Sequence, residues 1–199
     1  MGTEARIHPS QHAKYPWRIA GIAPDFELID AWLLPATGTL EEFSDLRNLF
    51  VSFDPAADSG AKMSRALFAL RSWLGARFGW DEEINSLPIP GCSETSLRDR
   101  LPDDLSPETD ETAGDSPFRP VYRTDNEWAL ELSNSTVHAV MHIGWVPQPD
   151  GSYRGQMGVY VKMRGRLGPP YMAMIAPFRH YIVYPALMRR IDRAWKNRG

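Results

Sequence analysis

The chain lacks several features that would place it in a membrane, secreted or disulfide-stabilised class. Cys92 is the only cysteine among 199 residues, so no internal disulfide can form and nothing favours an oxidising compartment. The longest apolar segment, 171–188, is interrupted by Arg179 and His180 and falls short of the roughly 18 uninterrupted apolar residues of a membrane span. The first residues also lack the apolar core of a signal peptide. We therefore expect a cytoplasmic protein without an integral membrane segment.

Positive charge is also in short supply. The net charge of −3 lacks the basic excess of a general nucleic-acid binder, so we expect no nucleic-acid partner. Residues 81–115 contain eleven acidic residues and two arginines, a net −9, whereas residues 162–199 contain nine basic residues and one aspartate, a net +8. Blocks of opposite sign either attract each other or face different partners.

The strongest pattern is an alternation of apolar and polar residues over 137–163. One parity carries Met141 and Trp145 and, after a break at 147–152, Met157. A period of two predicts a β-hairpin with one apolar face. Because two strands cannot bury such a face by themselves, we expect the apolar stretch 171–195 to cover it as a helix.

The remaining segments predict one domain over 21–199, preceded by a flexible, polar tail over 1–20. Residues 85–117 are rich in proline and acid and predict an irregular loop with a short helical turn at 97–101. The composition of that loop also fits a disordered segment. The other predicted elements are strands at 26–34 (ended by Pro35), 119–124 and 128–133, and helices at 39–50, 63–78 and, kinked by Pro177 and Pro185, 171–195.

This order predicts an α+β fold: an antiparallel sheet packed against a long kinked C-terminal helix and two N-terminal helices. The same order occurs in the helix-grip (START-like) fold, in which a curved sheet wraps a C-terminal helix around an apolar cavity. The sequence predicts about five strands where that fold has seven, so the match is partial.

Two histidines on the predicted hairpin, His138 and His142, suggest a metal site. Four residues along a strand separate them by about 13 Å, so they cannot share one ion. No metal-binding or cofactor-binding motif occurs, and we expect neither group. The histidines lie on the polar parity with Gln156 and Tyr160, which is either a solvated face or a ligand-contacting one.

Two charged pairs offer further alternatives. Arg98 and Arg100 either form surface ion pairs or clamp an anion with their guanidinium groups. Arg179 and His180 either reach out to solvent or point into a polar pocket.

Four segments together resemble a known family: Ser96–Pro102, Thr136–Trp145, Tyr153–Met157 and Pro177–Arg189. They are similar to actinobacterial-type members of domain-of-unknown-function family 2867, and the resemblance extends over most of the chain from about Trp17. Its most specific part is Pro177-Phe-Arg-His180. The resemblance implies no activity and no catalytic residues.

Three functional hypotheses follow. The first is a binding module for an apolar small molecule or lipid, held in a cavity between the sheet and the C-terminal helix. Its candidate ligand-binding residues are Arg98, Arg100, Met141, Trp145, Gln156, Met157, Tyr160, Phe178 and Arg179. The second is a small enzyme, cyclase- or hydratase-like, with His138, His142 or His180 as acid or base. The third is an interaction or peripheral-membrane protein that uses the basic C-terminal tail.

Overall fold

A computed structural model describes residues 6–51, 94–109, 118–133, 136–166 and 168–198 of the chain. The helix predicted at 63–78, and Cys92, lie outside these residues, as does part of the predicted loop at 85–117.

The described strands form one antiparallel sheet of six strands in the order β1-β2-β6-β5-β4-β3. Their bounds are Arg6–Ile7 (β1), Glu27–Gly38 (β2), Arg119–Arg123 (β3), Glu127–Ser133 (β4), Val137–Pro147 (β5) and Tyr153–Met163 (β6). The predicted hairpin is confirmed as β5 and β6, which turn at Gly151 with a φ of 83°. The sheet is open, and the START-like grip is not confirmed.

Strand β2 continues past Pro35, where the sequence predicts its end. The pairing of β2 with β6 is irregular between Leu33 and Thr37. A proline is tolerated at such an irregularity because no ladder hydrogen bond is required of its missing N–H.

The helices flank the sheet on both faces. They are Pro9–His12 (α1), Arg18–Ile22 (α2), Phe43–Val51 (α3), Gly168–Phe178 (α4) and Tyr184–Lys196 (α5), together with a 3₁₀ turn at Leu97–Arg100. A π-helical turn at Arg179–Val183 joins α4 to α5. The sequence predicts a kink at each of Pro177 and Pro185, and the structure has this one irregular turn between the two prolines. Pro185 lies in the first turn of α5, where its missing N–H costs nothing.

Helix α5 covers the apolar face of the hairpin, as the alternation predicts. Met157 is only 1% exposed, and Ile191 of α5 is fully buried in the same core. The indole N–H groups of Trp145 and Trp195 donate to the carbonyl oxygens of Thr39 and Thr37, at 2.8 and 3.1 Å. The tryptophans therefore anchor the end of β2 as well as filling the core.

The opposite face of the sheet is buried too, by the segment that the sequence predicts to be a flexible tail. Residues 6–22 form β1, α1 and α2, and the side chains of Trp17, Ile19 and Ile22 are buried in a second core. Trp17 and Ile19 belong to the predicted tail 1–20, and the polar residues around them dominate its average composition. As a result, the polar parity of the hairpin lies inside the protein rather than in solvent.

The acidic and basic blocks attract each other. Glu94, from the acidic block, pairs with Lys162 at 2.9 Å and also with Arg164. This contact holds the residues before the 3₁₀ turn against the end of β6.

Candidate functional site

Two buried histidines from distant parts of the chain meet on the face covered by α1 and α2. The Nε2 atom of His142 lies 2.9 Å from Glu127 Oε2, and its Nδ1 atom lies 3.0 Å from His12 Nε2. The other ring nitrogen of His12 lies 3.0 Å from Gln156 Oε1. These four side chains, here called the histidine relay, form one hydrogen-bonded chain in which both imidazoles are fully buried.

Two glycines make room for the residues that cover this face. A Cβ atom on Gly158 would lie 2.6 Å from His12 Nε2, and one on Gly144 would lie 2.6 Å from the Trp17 ring. Both glycines lie on the polar parity of the hairpin. The side chains of His12 and Trp17 therefore contact the backbone of the sheet where it lacks side chains of its own.

Glu127 is held by donors from three elements. Besides His142, it accepts hydrogen bonds from the Tyr122 hydroxyl at 3.1 Å and from the backbone N–H of Arg18 at 2.9 Å. The Arg18 N–H begins α2, so this carboxylate also caps that helix. Burial, followed by the nearby Glu127 carboxylate, raises the pKa of Tyr122 well above its usual range.

The hydrogen bonds of the relay require a definite number of protons. Three hydrogen bonds join the Glu127 carboxylate, two imidazoles and the Gln156 oxygen, but two neutral imidazoles supply only two N–H groups. The third hydrogen comes from a second proton on one imidazole, from a proton on the Glu127 carboxyl, or from the Gln156 amide with its NH₂ group turned toward His12. Burial and the neighbouring His142 lower the pKa of His12 to about 3, so His12 is neutral at physiological pH.

A second histidine–carboxylate pair lies on the same face. His138 Nε2 lies 2.9 Å from Glu131 Oε2, and this carboxylate also accepts from the Leu97 N–H at 3.0 Å and from the Ser96 hydroxyl. Burial alone would raise the pKa of Glu131, but these hydrogen bonds hold it below its usual value. The pair thus ties the 3₁₀ turn to the sheet.

Each predicted histidine of the hairpin has its own carboxylate, so His138 and His142 do not converge on one point. Within the described residues, no group of three His, Cys, Asp or Glu side chains is arranged to hold a metal ion.

A groove of about 440 Å³ opens beside Glu127. Trp17, Tyr15 and Leu105 give it an apolar side, and Arg18 and Asp104, which pair with each other, give it a charged one. Its volume lies within the range of small-molecule sites.

On the other face, beneath the π-helical turn, Asp30 is the centre of a polar cluster. Its side chain is 1% exposed and accepts from His180 Nε2 at 2.6 Å and from the Tyr184 hydroxyl at 3.1 Å. The guanidinium groups of Arg6 and Arg179 lie 3.3 and 3.4 Å away. These five residues are called the Asp30 cluster. Burial, followed by the Asp30 charge, raises the pKa of Tyr184 above its usual range.

Residues 22–186 match the model of a family described as a protein of unknown function, DUF2867. The chain belongs to the DUF2867 family. The resemblance of the four sequence segments is thereby confirmed. No curated protein and no solved structure matches the chain. Most of both sites lies inside the matched region, but His12 and Arg6 precede it.

The other candidate residues of this DUF2867 protein are spread over both faces. Trp145 and Met157 are core residues, whereas Met141 and Phe178 are half-buried. Tyr160 is buried, with its ring 6.2 Å from that of His142.

The two arginines of the 3₁₀ turn join neither the relay nor the Asp30 cluster. Arg98 donates to the Pro120 and Glu108 carbonyl oxygens at 2.7 and 2.8 Å, which ties the turn to β3. Arg100 pairs with Asp25 at 2.7 Å. No helix within the described ranges is long and apolar enough to cross a bilayer.

Sequence reasoning missed Glu127, His12 and Asp30. One signal was available for the first: Glu127 and Glu131 have the same four-residue spacing as His138 and His142 on the next strand. For Asp30 the signal is a carboxylate in the middle of the apolar run 28–34. His12 carries no such signal because its partners lie 130 and 144 residues away.

Proposed function

We propose that this DUF2867 protein is a binding module for an apolar small molecule, held between the sheet and helix α4. The observation that carries the proposal is the exposure of α4. Apart from Gly168, none of its described residues is buried, and Met174 is 45% exposed. An apolar helix in water normally buries one face completely. Helix α4 leaves its apolar side chains partly exposed, and such a surface is suited to cover a ligand.

The facing strands support the same position. Met141 of β5 and Val159 of β6 pair with each other and are half-buried, whereas Ile143 and Met157 in the next row are almost fully buried. The packed core thus gives way, one row along the hairpin, to apolar side chains that are only half-buried. Methionine adapts to ligands of different shape because its side chain is flexible and polarisable.

A neutral fluorescent probe, N-phenyl-1-naphthylamine, tests the proposal with the full chain. We expect saturable binding with one probe per chain. A carboxylate introduced by Met141→Glu or Ile175→Glu should weaken binding by about tenfold or more, because a charge is costly in an apolar site.

Leu40→Glu is the matched control. Leu40 is also apolar and 38% exposed, but it lies before α3, so binding should not change. Non-saturable binding, or equal affinity in all three variants, contradicts the proposal. Circular dichroism of each variant verifies that the fold is retained.

A second candidate, a small cyclase- or hydratase-like enzyme, is favoured by the relay. Glu127 lines the groove and is hydrogen-bonded to His142, which contacts His12 in turn, and a carboxylate at the edge of a groove can act as an acid or a base. The histidines themselves are buried behind Glu127, so the carboxylate would be the group nearest a substrate.

Deuterium incorporation from solvent into a panel of unsaturated and carbonyl compounds, followed by NMR, tests this candidate. Glu127→Gln should lower the rate of exchange by about a hundredfold. Glu131→Gln, which alters the other histidine–carboxylate pair, should leave it unchanged. Exchange that is absent in the wild type, or equal in both variants, contradicts the enzyme.

A further inference from the structure

The Asp30 cluster contains more positive charge than its single carboxylate neutralises. Arg6 and Arg179 both approach Asp30, and their described ion pairs are with Asp30 alone. Two guanidinium groups and one carboxylate leave the cluster at +1 even when His180 is neutral. Water screens the charge of Arg6, whose side chain is 49% exposed, but the Arg179 side chain is only 16% exposed, so a further anion beside it would be screened little.

Two buried donors at the same place lack an acceptor among the described residues. They are Nε of Arg179 and Nε1 of Trp32. The Trp32 ring is 5% exposed and packs against that of Tyr184, with 4.8 Å between their centroids. Each buried donor without a partner costs on the order of 1–3 kcal/mol, so the position favours a ligand that supplies acceptors.

The chemistry of these donors specifies the ligand. Nη2 of Arg179 lies 3.4 Å from Asp30, while Nε, on the same edge of the guanidinium, has no acceptor among the described residues. A guanidinium edge matches a carboxylate or a phosphate with two parallel hydrogen bonds. A neutral acceptor would satisfy the hydrogen bonds but would leave the charge of the cluster uncompensated.

The sheet places an apolar surface next to this cluster. Asp30 pairs with Val159 on β6, and Val159 pairs with Met141 on β5. The three residues form a row across neighbouring strands, about 10 Å long at the usual strand spacing. The row passes from a charged end to two half-buried apolar side chains.

We infer that the ligand of this site is an amphiphile whose oxyanion head group, a carboxylate or a phosphate, binds Arg179 and Trp32 while its tail lies on Val159 and Met141. This inference rests on the proposed function and adds the chemical class of the ligand. Asp30 is a positioning residue here because it holds Arg179 in place without contacting the ligand.

Calorimetry on the full chain with three probes of equal tail length tests the inference: laurate, dodecyl phosphate and dodecanol. We expect the better of the two anionic probes to bind about tenfold more tightly than dodecanol or better. Whichever anion binds more tightly identifies the head group, and either result supports the inference.

Variants then locate the head group. Arg179→Gln should reduce the affinity for the anion to that for dodecanol and leave dodecanol unchanged. Trp32→Phe removes one donor while keeping the ring, and should lower only the affinity for the anion, by a few fold. Arg189→Gln removes the same charge from an exposed position of α5 and should change neither.

The outcomes separate the two claims. Equal binding of anions and dodecanol by the wild type overturns the oxyanion site but leaves the apolar binding module intact. An advantage of the anion that persists in both Arg179→Gln and Trp32→Phe places the head group elsewhere and also overturns the inference. If none of the three probes binds, the proposed function itself is wrong.

Discussion

Acidification is expected to destabilise the protein through His12. This imidazole has a pKa of about 3 in the folded chain and 6.5 as a free side chain. Between these two values His12 is protonated in the unfolded chain but neutral in the folded chain. The free energy of unfolding therefore falls as the pH decreases from 6.5 toward 3. Each pH unit costs about 1.4 kcal/mol, and acidification from pH 6.5 to 5 therefore costs about 2 kcal/mol.

The groups around His12 explain why it resists protonation. It contacts His142 on β5, Gln156 and Tyr160 on β6, and Trp17 on its own segment. None of these is an acidic side chain that would stabilise an imidazolium. The nearest carboxylate of the relay, Glu127, contacts the far nitrogen of His142 instead.

Urea denaturation at pH 7, 6 and 5 measures the effect. His12→Gln should lower stability at pH 7, because the relay loses a ring, but its further loss at pH 5 should be about 2 kcal/mol smaller than that of the wild type. His8→Gln alters an exposed histidine of the same segment and should follow the wild type. Parallel pH profiles for His12→Gln and the wild type would refute a neutral, buried His12.

Two further predictions concern close packing and the buried charge. Gly158→Ala should destabilise the protein by about 1–3 kcal/mol in thermal unfolding, because the new Cβ collides with the ring of His12. Gly21→Ala, in a helix with open space around the new atom, should instead stabilise it by about 0.5–1 kcal/mol; a loss in both variants would contradict the collision. Asp30→Asn should cost about 3–5 kcal/mol in urea denaturation, since it leaves the largely buried Arg179 guanidinium without its counter-charge. Asp192→Asn, which removes an exposed ion pair, should change stability by less than about 0.5 kcal/mol, and a similar value for Asp30→Asn would contradict the argument.

The sequence predicts one face of the sheet well because the information is local. Alternation in β5 and β6 indicates which side chains face α5, and Met157 and Trp145 lie in that core. The opposite face depends on residues more than 100 positions away, which alternation cannot register. Alternation alone is therefore compatible with a solvated position for His142 and Gln156, which His12 and Trp17 cover in the folded chain.

The Asp30 cluster likewise combines elements that the sequence predicts with a contact that it does not. The strand that carries Asp30 and the helical segment that carries His180 are both predictable, but their contact joins residues 150 apart. Hydropathy treats Arg179 and His180 as an interruption of an apolar helix. Only the three-dimensional arrangement shows that the interruption faces a buried carboxylate.

The π-helical turn determines how α4 is rotated about its axis relative to α5. Its hydrogen bond runs from the Tyr184 N–H to the Arg179 carbonyl, one residue longer than in an α-helix. Deleting one residue from 179–183 would restore ordinary helical winding and rotate α4 by about 100° about its axis relative to α5. The single extra residue thus sets the direction in which Met172 and Ile175 point, independently of the sheet below.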